Sequence, residues 1–256
     1  MRIRTQFKLT MLLFGIILAN PEINSNIVNA GTPGAEIGPN TFISILGGSL
    51  APTTRSWAST DFNGTSLPTS LDGLSVSING SPAYITFVSP RQINLLTPAN
   101  MSTSANASVV ISDNGLTSQP LSVPVSAYGP AFFLLGGKYA VAEHGDGTIV
   151  GPTTLVANNS TPAKAGETIM IFATGLGATN PTTPNGQLIA TPAITASTAT
   201  VLIGGVAANV SYAGLIDPGV YQLNVTIPAA AASGDNSLAV QIGGYTSPGN
   251  VFVNVQ

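Results

Sequence analysis

The most informative pattern in the chain is an alternation of polar and apolar positions that occurs in two near copies, at residues 89–99 and 219–229. One face of each copy carries two amides and a third residue: Gln92, Asn94 and Leu96, then Gln222, Asn224 and Thr226. The other face carries apolar or β-branched residues: Ile93, Leu95, Thr97, Leu223, Val225 and Ile227. A period of two predicts a β-strand with one buried side. A repeated strand in turn predicts a repeated domain.

Short alternating runs surround the first copy and are separated by turn residues. They lie at residues 41–46, 74–78, 83–88, 107–111 and 116–125. Asn79-Gly80 separates two of these runs, which is the strongest short-range signal for a β-hairpin. Because no run has the period of an amphipathic helix, the pattern predicts a β-sandwich of short strands.

The second half of the chain repeats this order. Residues 167–172 lead into Ala-Thr-Gly-Leu-Gly, residues 199–203 turn at Gly204-Gly205, and an insertion at 215–218 precedes the second amide strand. The fold class predicted is therefore all-β, with two tandem Ig-like β-sandwiches at residues 27–126 and 164–256. Residues 127–163 are predicted to form a short linker that contains a β-hairpin, with Phe132 and Phe133 packing on one sandwich.

The first nineteen residues have the pattern of a secretory signal peptide, with Arg2, Arg4 and Lys8 before the apolar run at 9–18. Cleavage after Ala30 is the alternative to cleavage after Ala19, which we favour because the apolar run ends there. Residues 20–26 would then be a leader. The apolar run is too short for a good membrane-spanning helix, so no membrane span is expected after cleavage.

The composition excludes several kinds of partner. Only 7% of the 256 residues are charged, and there is no cysteine. Removal of residues 1–19 would leave four basic against ten acidic residues, so no nucleic-acid partner is expected. Each domain of this exported chain must be held together by its core, because no disulfide is available.

Several motifs resemble the uncharacterised C-terminal domain family of secreted acidobacterial proteins. They lie at residues 67–80, 88–98, 144–152, 162–169 and 173–177. The second unit is also similar to an IPT/TIG domain, in which a strand ends in Gly-Leu-Gly and a Gly-Gly hairpin follows. The resemblance implies extracellular Ig-like modules, usually appended to larger exported proteins, with no enzymatic function and no catalytic residues.

A polar loop at 51–66 carries the best candidates for ligand binding, which are Trp57, Arg55 and Phe62. Exposed aromatic rings with a polar rim stack on sugars or anchor protein partners. The alternative, which we favour, is that Trp57 folds back over the sandwich edge, as large aromatic side chains commonly do. The amide faces of the two repeated strands are also possible ligand surfaces, although such amides more often hydrogen-bond to neighbouring groups.

His144 is the only histidine, and Glu143, Asp146 and Glu167 lie near it in sequence. This combination is compatible with a metal site or an acid–base group. The preferred interpretation is an Asp-Gly hairpin turn with a solvated imidazole. No Gly-x-Ser-x-Gly motif is present, and we predict no catalytic residue, no metal and no cofactor.

The sequence therefore favours an exported, non-enzymatic structural or adhesive module at the cell surface or in the extracellular matrix. Its expected partner is a second copy of the chain, since low charge weakens the repulsion between copies, or a surface glycan or matrix component. The alternative is a carbohydrate-binding accessory module that uses the Trp57 loop. A hydrolase is a third hypothesis, which the scattered carboxylates and single histidine support poorly.

Overall fold

The computed structural model describes residues 20–256, so the predicted signal peptide lies outside the described residues. The described chain is nearly all β-strand, with a single short 3-10 helix at Ser59–Asp61. This confirms the predicted all-β class. No helix in residues 20–256 has the length and hydropathy needed to cross a membrane.

The first unit contains two antiparallel sheets. Its strands are β1 (Glu22–Asn29), β2 (Phe42–Gly48), β3 (Arg55–Ser56), β4 (Ser70–Leu71), β5 (Leu74–Ile78), β6 (Ser81–Pro82), β7 (Tyr84–Val88), β8 (Gln92–Leu96), β9 (Ala107–Asp113), β10 (Leu116–Thr117) and β11 (Leu121–Val123). One sheet has the order β1-β2-β8-β7-β3. The other has the order β10-β9-β5-β4, with β11 added on β9 and β6 on β5.

The strands of the second unit form one connected network of fifteen strands. They are β12 (Ala131–Phe132), β13 (Leu134–Leu135), β14 (Tyr139–Ala140), β15 (Ala142–Glu143), β16 (Ile149–Val150), β17 (Ser160–Thr161), β18 (Thr168–Thr174), β19 (Thr179–Asn180), β20 (Ala193–Thr195), β21 (Thr200–Ile203), β22 (Val206–Asp217), β23 (Val220–Thr226), β24 (Gly234–Ile242), β25 (Tyr245–Thr246) and β26 (Phe252–Val255). In this network β14–β26 and β16–β17 are parallel pairs. The beginning of β22 pairs with β21 and the rest pairs with β23, so this strand passes from one sheet to the other. In the first unit the same path is divided into β6 and β7.

The repeated amide strands are β8 and β23, each of which lies beside a central strand of its unit, β2 or β18. Their predicted apolar faces are buried: Ile93, Leu95, Leu223 and Val225 are all fully inaccessible to solvent. Each face belongs to the separate hydrophobic core of its own unit. The alternation in the sequence therefore gave the correct buried side of both strands.

The segment between the units forms part of the second sandwich. β12 and β15 pair with β18 in the way that β1 pairs with β2, and Phe132 is fully buried in the second core. Between β12 and β15 the chain leaves this sheet and forms the hairpin β13–β14, in which β14 pairs with β26. Strand β1 already begins at Glu22, inside the stretch predicted as a leader. The predicted domain boundaries themselves stay predictions.

Candidate functional site

The Trp57 loop is held by a compact network of charged and polar groups around Arg55. The guanidinium binds Asp61 through two hydrogen bonds, Nη1 to Oδ2 at 2.8 Å and Nη2 to Oδ1 at 3.0 Å. Its Nε donates to Oδ1 of Asp72 at 2.8 Å, and the hydroxyl of Thr53 donates to the other Asp72 oxygen. The hydrogen bonds from Arg55 hold the pKa of Asp61 below its usual range. Arg55 therefore orders the loop through groups of the protein itself.

Trp57 and Phe62 stack at the surface of this loop. Their ring centroids are 5.0 Å apart, and the rings are inclined at 49°. Both side chains are half-buried, and the backbone N–H of Trp57 donates to the carbonyl of Thr86 at 2.9 Å. Trp57 packs on the first core and also on a smaller apolar cluster. The structure thus brings the three predicted ligand-binding residues together, with much of the indole used for packing.

The smaller cluster lies at the contact between the two units, and we call it the junction cluster. It consists of buried Leu67, Tyr84 and Leu96, with Phe42, Trp57 and Phe62 packed against them. A Cβ on Gly219, which precedes β23, would collide with Leu96 and Phe42. A Cβ on Gly186 would likewise collide with the ring of Tyr84. The turn before the second amide strand and the 186 loop therefore press directly on the first unit.

Backbone hydrogen bonds connect the same two units. The N–H of Leu67 donates to the carbonyl of Gly186 at 2.9 Å, and that of Leu188 donates to Thr65 at 2.8 Å. The side chain of Asn185 accepts from the N–H of Ala99 at 2.8 Å. The loop at 63–67 and the loop at 185–188 are consequently paired across the junction. The sequence analysis assigned no role to residues 185–188, although Asn185-Gly186 is a turn signal at a position with no counterpart in the first unit.

Leu96 lies on the amide face with Gln92 and Asn94, as the alternation predicts, but this end of the face is covered. Leu96 is only 1% exposed and belongs to the junction cluster, not to the core that Ile93 and Leu95 enter. The reason is tertiary, because Gly219 of the second unit covers this end of β8. A pattern local to one strand contains no information about a cover that comes from residues so distant in sequence.

The amide faces themselves show the same local geometry in both copies. Nε2 of Gln92 donates to Oδ1 of Asn94, and Nε2 of Gln222 donates to Oδ1 of Asn224, at 2.7 Å in each case. The hydroxyl of Ser44 also donates to Asn94, at 2.8 Å. These contacts agree with the interpretation that the amides hydrogen-bond to their neighbours.

His144 differs from its predicted environment. The turn at 145–147 forms as expected, with the N–H of His144 donating to the carbonyl of Thr148 at 2.8 Å. The imidazole, however, is not solvated, because its side chain is only 11% exposed. Nδ1 lies 2.5 Å from Oε1 of Glu167, and Nε2 lies 3.0 Å from the carbonyl oxygen of Thr161. Thr161 belongs to β17 and Glu167 directly precedes β18, so both partners follow the turn in sequence.

The resulting charge pair lines a groove of about 510 Å³. Burial lowers the pKa of His144, but the hydrogen bonds to Glu167 and Thr161 outweigh it, so the pKa is raised. The hydroxyl of Thr161 is 3.1 Å from Nε2, which resembles a nucleophile beside a base. Nδ1 faces the Glu167 carboxylate and Nε2 faces the Thr161 carbonyl, both of which are acceptors. This arrangement suits a ring that donates from both nitrogens, and such a ring is no general base. Within residues 20–256 no group of three or more His, Asp or Glu side chains is placed to hold a metal ion.

The family comparison concerns the first unit. The IPT/TIG domain family matches residues 58–124, which is about a quarter of the chain and runs from the Trp57 loop to the end of β11. The sequence analysis had placed this likeness in the second unit. No curated protein matches the sequence.

Similar solved structures include surface proteins with low identity. One is the surface glycan-binding protein PbSGBP-B from Prevotella bryantii, with 10% identity, 90% of this chain and 41% of that chain covered, and a TM-score of 0.29. Another is SGBP-B from a xyloglucan utilization locus in Bacteroides uniformis, with 15% identity, coverages of 90% and 48%, and a TM-score of 0.24. Domains 5–6 of the S-layer protein SbsC give 15% identity, coverages of 92% and 98%, and a TM-score of 0.26. The chain thus spans less than half the length of the two glycan-binding proteins.

Proposed function

We propose that this chain is an exported, non-enzymatic structural or adhesive module that acts at the cell surface or in the extracellular matrix. The observation that carries the proposal is that loops of both units meet at the junction. The Trp57 loop, the 185–188 loop and the turn at Gly219 all pack or pair at the junction. Two sandwiches joined in this way hold their outer surfaces at a fixed spacing, as a spacer or an adhesive unit requires.

The remaining polar chemistry also favours a module without catalysis. The charged groups in the two candidate sites bind one another: Arg55 with Asp61 and Asp72, and His144 with Glu167. Groups engaged in this way have little capacity to bind or activate a substrate. The signal-like N-terminus supports export.

The proposal is tested by locating the protein and measuring its assembly state. Full-length protein in a bacterial host should be processed and become accessible to protease added outside the cell. Sedimentation velocity of residues 20–256 over a hundredfold concentration range should show reversible association. A protein that stays in the cytoplasm, or a strict monomer that is released into the medium without surface attachment, would contradict the proposal.

A carbohydrate-binding role for the Trp57 loop is the second candidate. It is favoured by the half-exposed stack of Trp57 on Phe62 beside the ordered Arg55, since aromatic faces with hydrogen-bonding groups are suited to sugars. Pull-down with insoluble cellulose, chitin and xylan should retain the protein and lose it on Trp57→Ala. Trp57→Phe is the matched control, because it keeps an aromatic face and most of the packing. Absence of retention by the unaltered protein would eliminate this candidate.

A further inference from the structure

The outer edge of strand β26 in the second sandwich is covered by the segment that precedes this unit. β14 runs parallel to β26, with Tyr139 beside Phe252, and the N–H of Phe252 donates to the carbonyl of Lys138 at 3.1 Å. Further along, Ala163 donates to Asn254 at 2.9 Å and accepts from Gln256 at 2.8 Å. The main-chain groups of this edge are therefore bonded within the molecule.

The equivalent strand of the first sandwich is β11, because it pairs with β9 as β26 pairs with β24. Ser122 is the counterpart of Phe252: it lies opposite Ser108 on β9, as Phe252 lies opposite Ser237 on β24. Successive residues of a strand direct their main-chain N–H and C=O groups alternately toward one neighbouring strand and toward the opposite side. The main-chain groups of Ser122 accordingly point away from β9, as those of Phe252 point toward Lys138.

The first unit reproduces only part of this cover. The N–H of Ser126 donates to Ile37 at 2.9 Å, which reproduces the contact between Gln256 and Ala163. Nothing reproduces β14: among the described strands, β11 pairs with β9 alone. The cause lies in β1, which shifts register between Ile23 and Asn26, at the place where the second unit inserts its β13–β14 hairpin.

This edge of β11, which β1 approaches without pairing to it, is bordered by two cavities of about 410 and 390 Å³. Both cavities are lined by Leu121, and Ile23, Ile27 and Ile37 add further apolar surface. The charged residues that line them are Glu22 and Glu36, and no lysine or arginine does so. The seam between β1 and β11 thus combines a free main-chain edge, apolar walls and negative charge at both ends.

We propose that this seam is a docking site for an extended segment of another protein, which adds to β11 as a parallel strand. Main-chain groups of the incoming segment would bond to Ser122, its apolar side chains would enter the two cavities, and a basic side chain would face Glu22 or Glu36. Strand addition of this kind takes affinity from main-chain bonds and specificity from side-chain pockets. A second copy of this chain is a poorer occupant, because it brings the same acidic groups to the contact.

Prolines limit the length of the site. Pro120 and Pro124 flank β11 and contribute no N–H, so only a short stretch of edge is available. β14, which occupies the equivalent edge in the second unit, is also only two residues long. Short edges bounded by proline resist open-ended aggregation, and they favour reversible binding. The inference deepens the proposed function, on which it rests, by naming the surface through which an adhesive module would hold a protein partner.

The chain itself supplies the probe, which is a fluorescent peptide of residues 137–142. This peptide contains β14 and carries Lys138. Fluorescence anisotropy with residues 20–256 should show saturable binding. Methylation of the peptide nitrogen at Ala140, which would donate to the carbonyl of Ser122, should weaken binding at least about tenfold, equivalent to about 1.4 kcal/mol. Methylation at Tyr139, whose N–H faces the other way in a parallel pair, should leave binding within about twofold.

Variants of the protein test the same geometry from the other side. Ser122→Pro removes the outward N–H and should abolish binding, with circular dichroism and thermal unfolding confirming that the fold is kept. Glu36→Gln should weaken binding, and Glu143→Gln, on the other sandwich, should not.

Equal affinity of the two methylated peptides, or no saturable binding at millimolar peptide, overturns the docking site. Surface attachment without peptide binding would overturn this inference and leave the proposed function standing, whereas a cytoplasmic, unattached protein would overturn the proposed function.

Discussion

His144 connects three segments of a chain that has few charged residues. Its imidazole connects the turn after β15, strand β17 and the residue before β18 through Thr161 and Glu167. The carboxylate of Glu167 also accepts from the backbone N–H of Lys164 at 2.8 Å. The raised pKa of His144 favours the charged ring, so this contact becomes an ion pair as the pH falls.

The pair predicts a particular dependence of stability on pH. A histidine whose pKa is raised by folding stabilises the protein fully below its unfolded value of about 6.5, and the contribution is lost as pH rises through the folded value. Glu167→Gln should therefore lower the free energy of unfolding by about 1–3 kcal/mol near pH 6. The difference from the unaltered protein should narrow toward pH 9, as measured by urea unfolding.

Asp235→Asn is the control for this measurement, because its partners do not include His144. The pKa of Asp235 is lowered, chiefly by the hydrogen bond from Lys138, so its contribution is lost only in acid. It should leave the difference between pH 6 and pH 9 unchanged. A constant effect of Glu167→Gln across that range would show that the pair acts as a neutral hydrogen bond.

The end of β18 meets the segment around Gly129 at Gly175, the third residue of the Ala-Thr-Gly-Leu-Gly sequence. Its φ is +73°, and a Cβ there would collide with the carbonyl of Gly129, whose N–H donates to the Gly175 carbonyl at 2.9 Å. Glycine is thus required for two reasons, its left-handed backbone and the close approach of another segment. The sequence displays the glycine, but the segment that approaches it could not be named from the sequence.

Substitution of glycines separates these two reasons. Gly175→Ala should destabilise the protein by about 2–4 kcal/mol, since steric collision adds to backbone strain. Gly205→Ala has a similar φ of +80° with open space around the site, and should cost only about 1–2 kcal/mol. Thermal unfolding of both variants measures the difference, and equal losses would mean that Gly129 moves away without cost.

The local sequence pattern was sufficient to predict the strands, but it did not predict which groups pack around them. The alternation around Gln92 and Gln222 predicted both strands and their buried sides, and Asn79-Gly80 predicted a turn in which both residues have positive φ. The burial of Leu96 and of His144 was not predicted, because the groups that bury these residues lie in other segments. The likeness of Gln92–Asn94 to Gln222–Asn224 could be predicted, whereas the pairing of the loops at 63–67 and 185–188 required the fold.

On the scale of the whole molecule, the junction couples two cores that are otherwise separate. Leu96, the last residue of β8, is central to this coupling, because its side chain is buried and the turn at Gly219 packs against it. Asn40 adds a polar link, donating to the hydroxyl of Tyr221 at 3.3 Å, where burial raises the pKa of Tyr221 to about 12. Coupling of this extent predicts that the sandwiches unfold together.

Calorimetry tests this cooperativity. Residues 20–256 should give one unfolding transition whose calorimetric and van't Hoff enthalpies agree. Leu96→Ala removes buried contacts at the junction and should cost about 2–4 kcal/mol, dividing the transition into two. Leu46→Ala, at a half-buried position on an adjacent strand of the same sheet, is the control and should keep a single transition. Two transitions in the unaltered protein would show that the junction does not couple the cores.

The paired loops at the junction also limit which exchanges of repeats between related proteins give a folded product. A repeat whose loops contact only its own partner cannot be exchanged for a repeat from elsewhere without leaving Leu96, Tyr84 and Phe42 exposed to water. Recombination between related genes should therefore tolerate breakpoints before the first sandwich or after the second far better than breakpoints between them. In evolutionary terms, the duplicated pair is the transferable module, although each half has a core of its own.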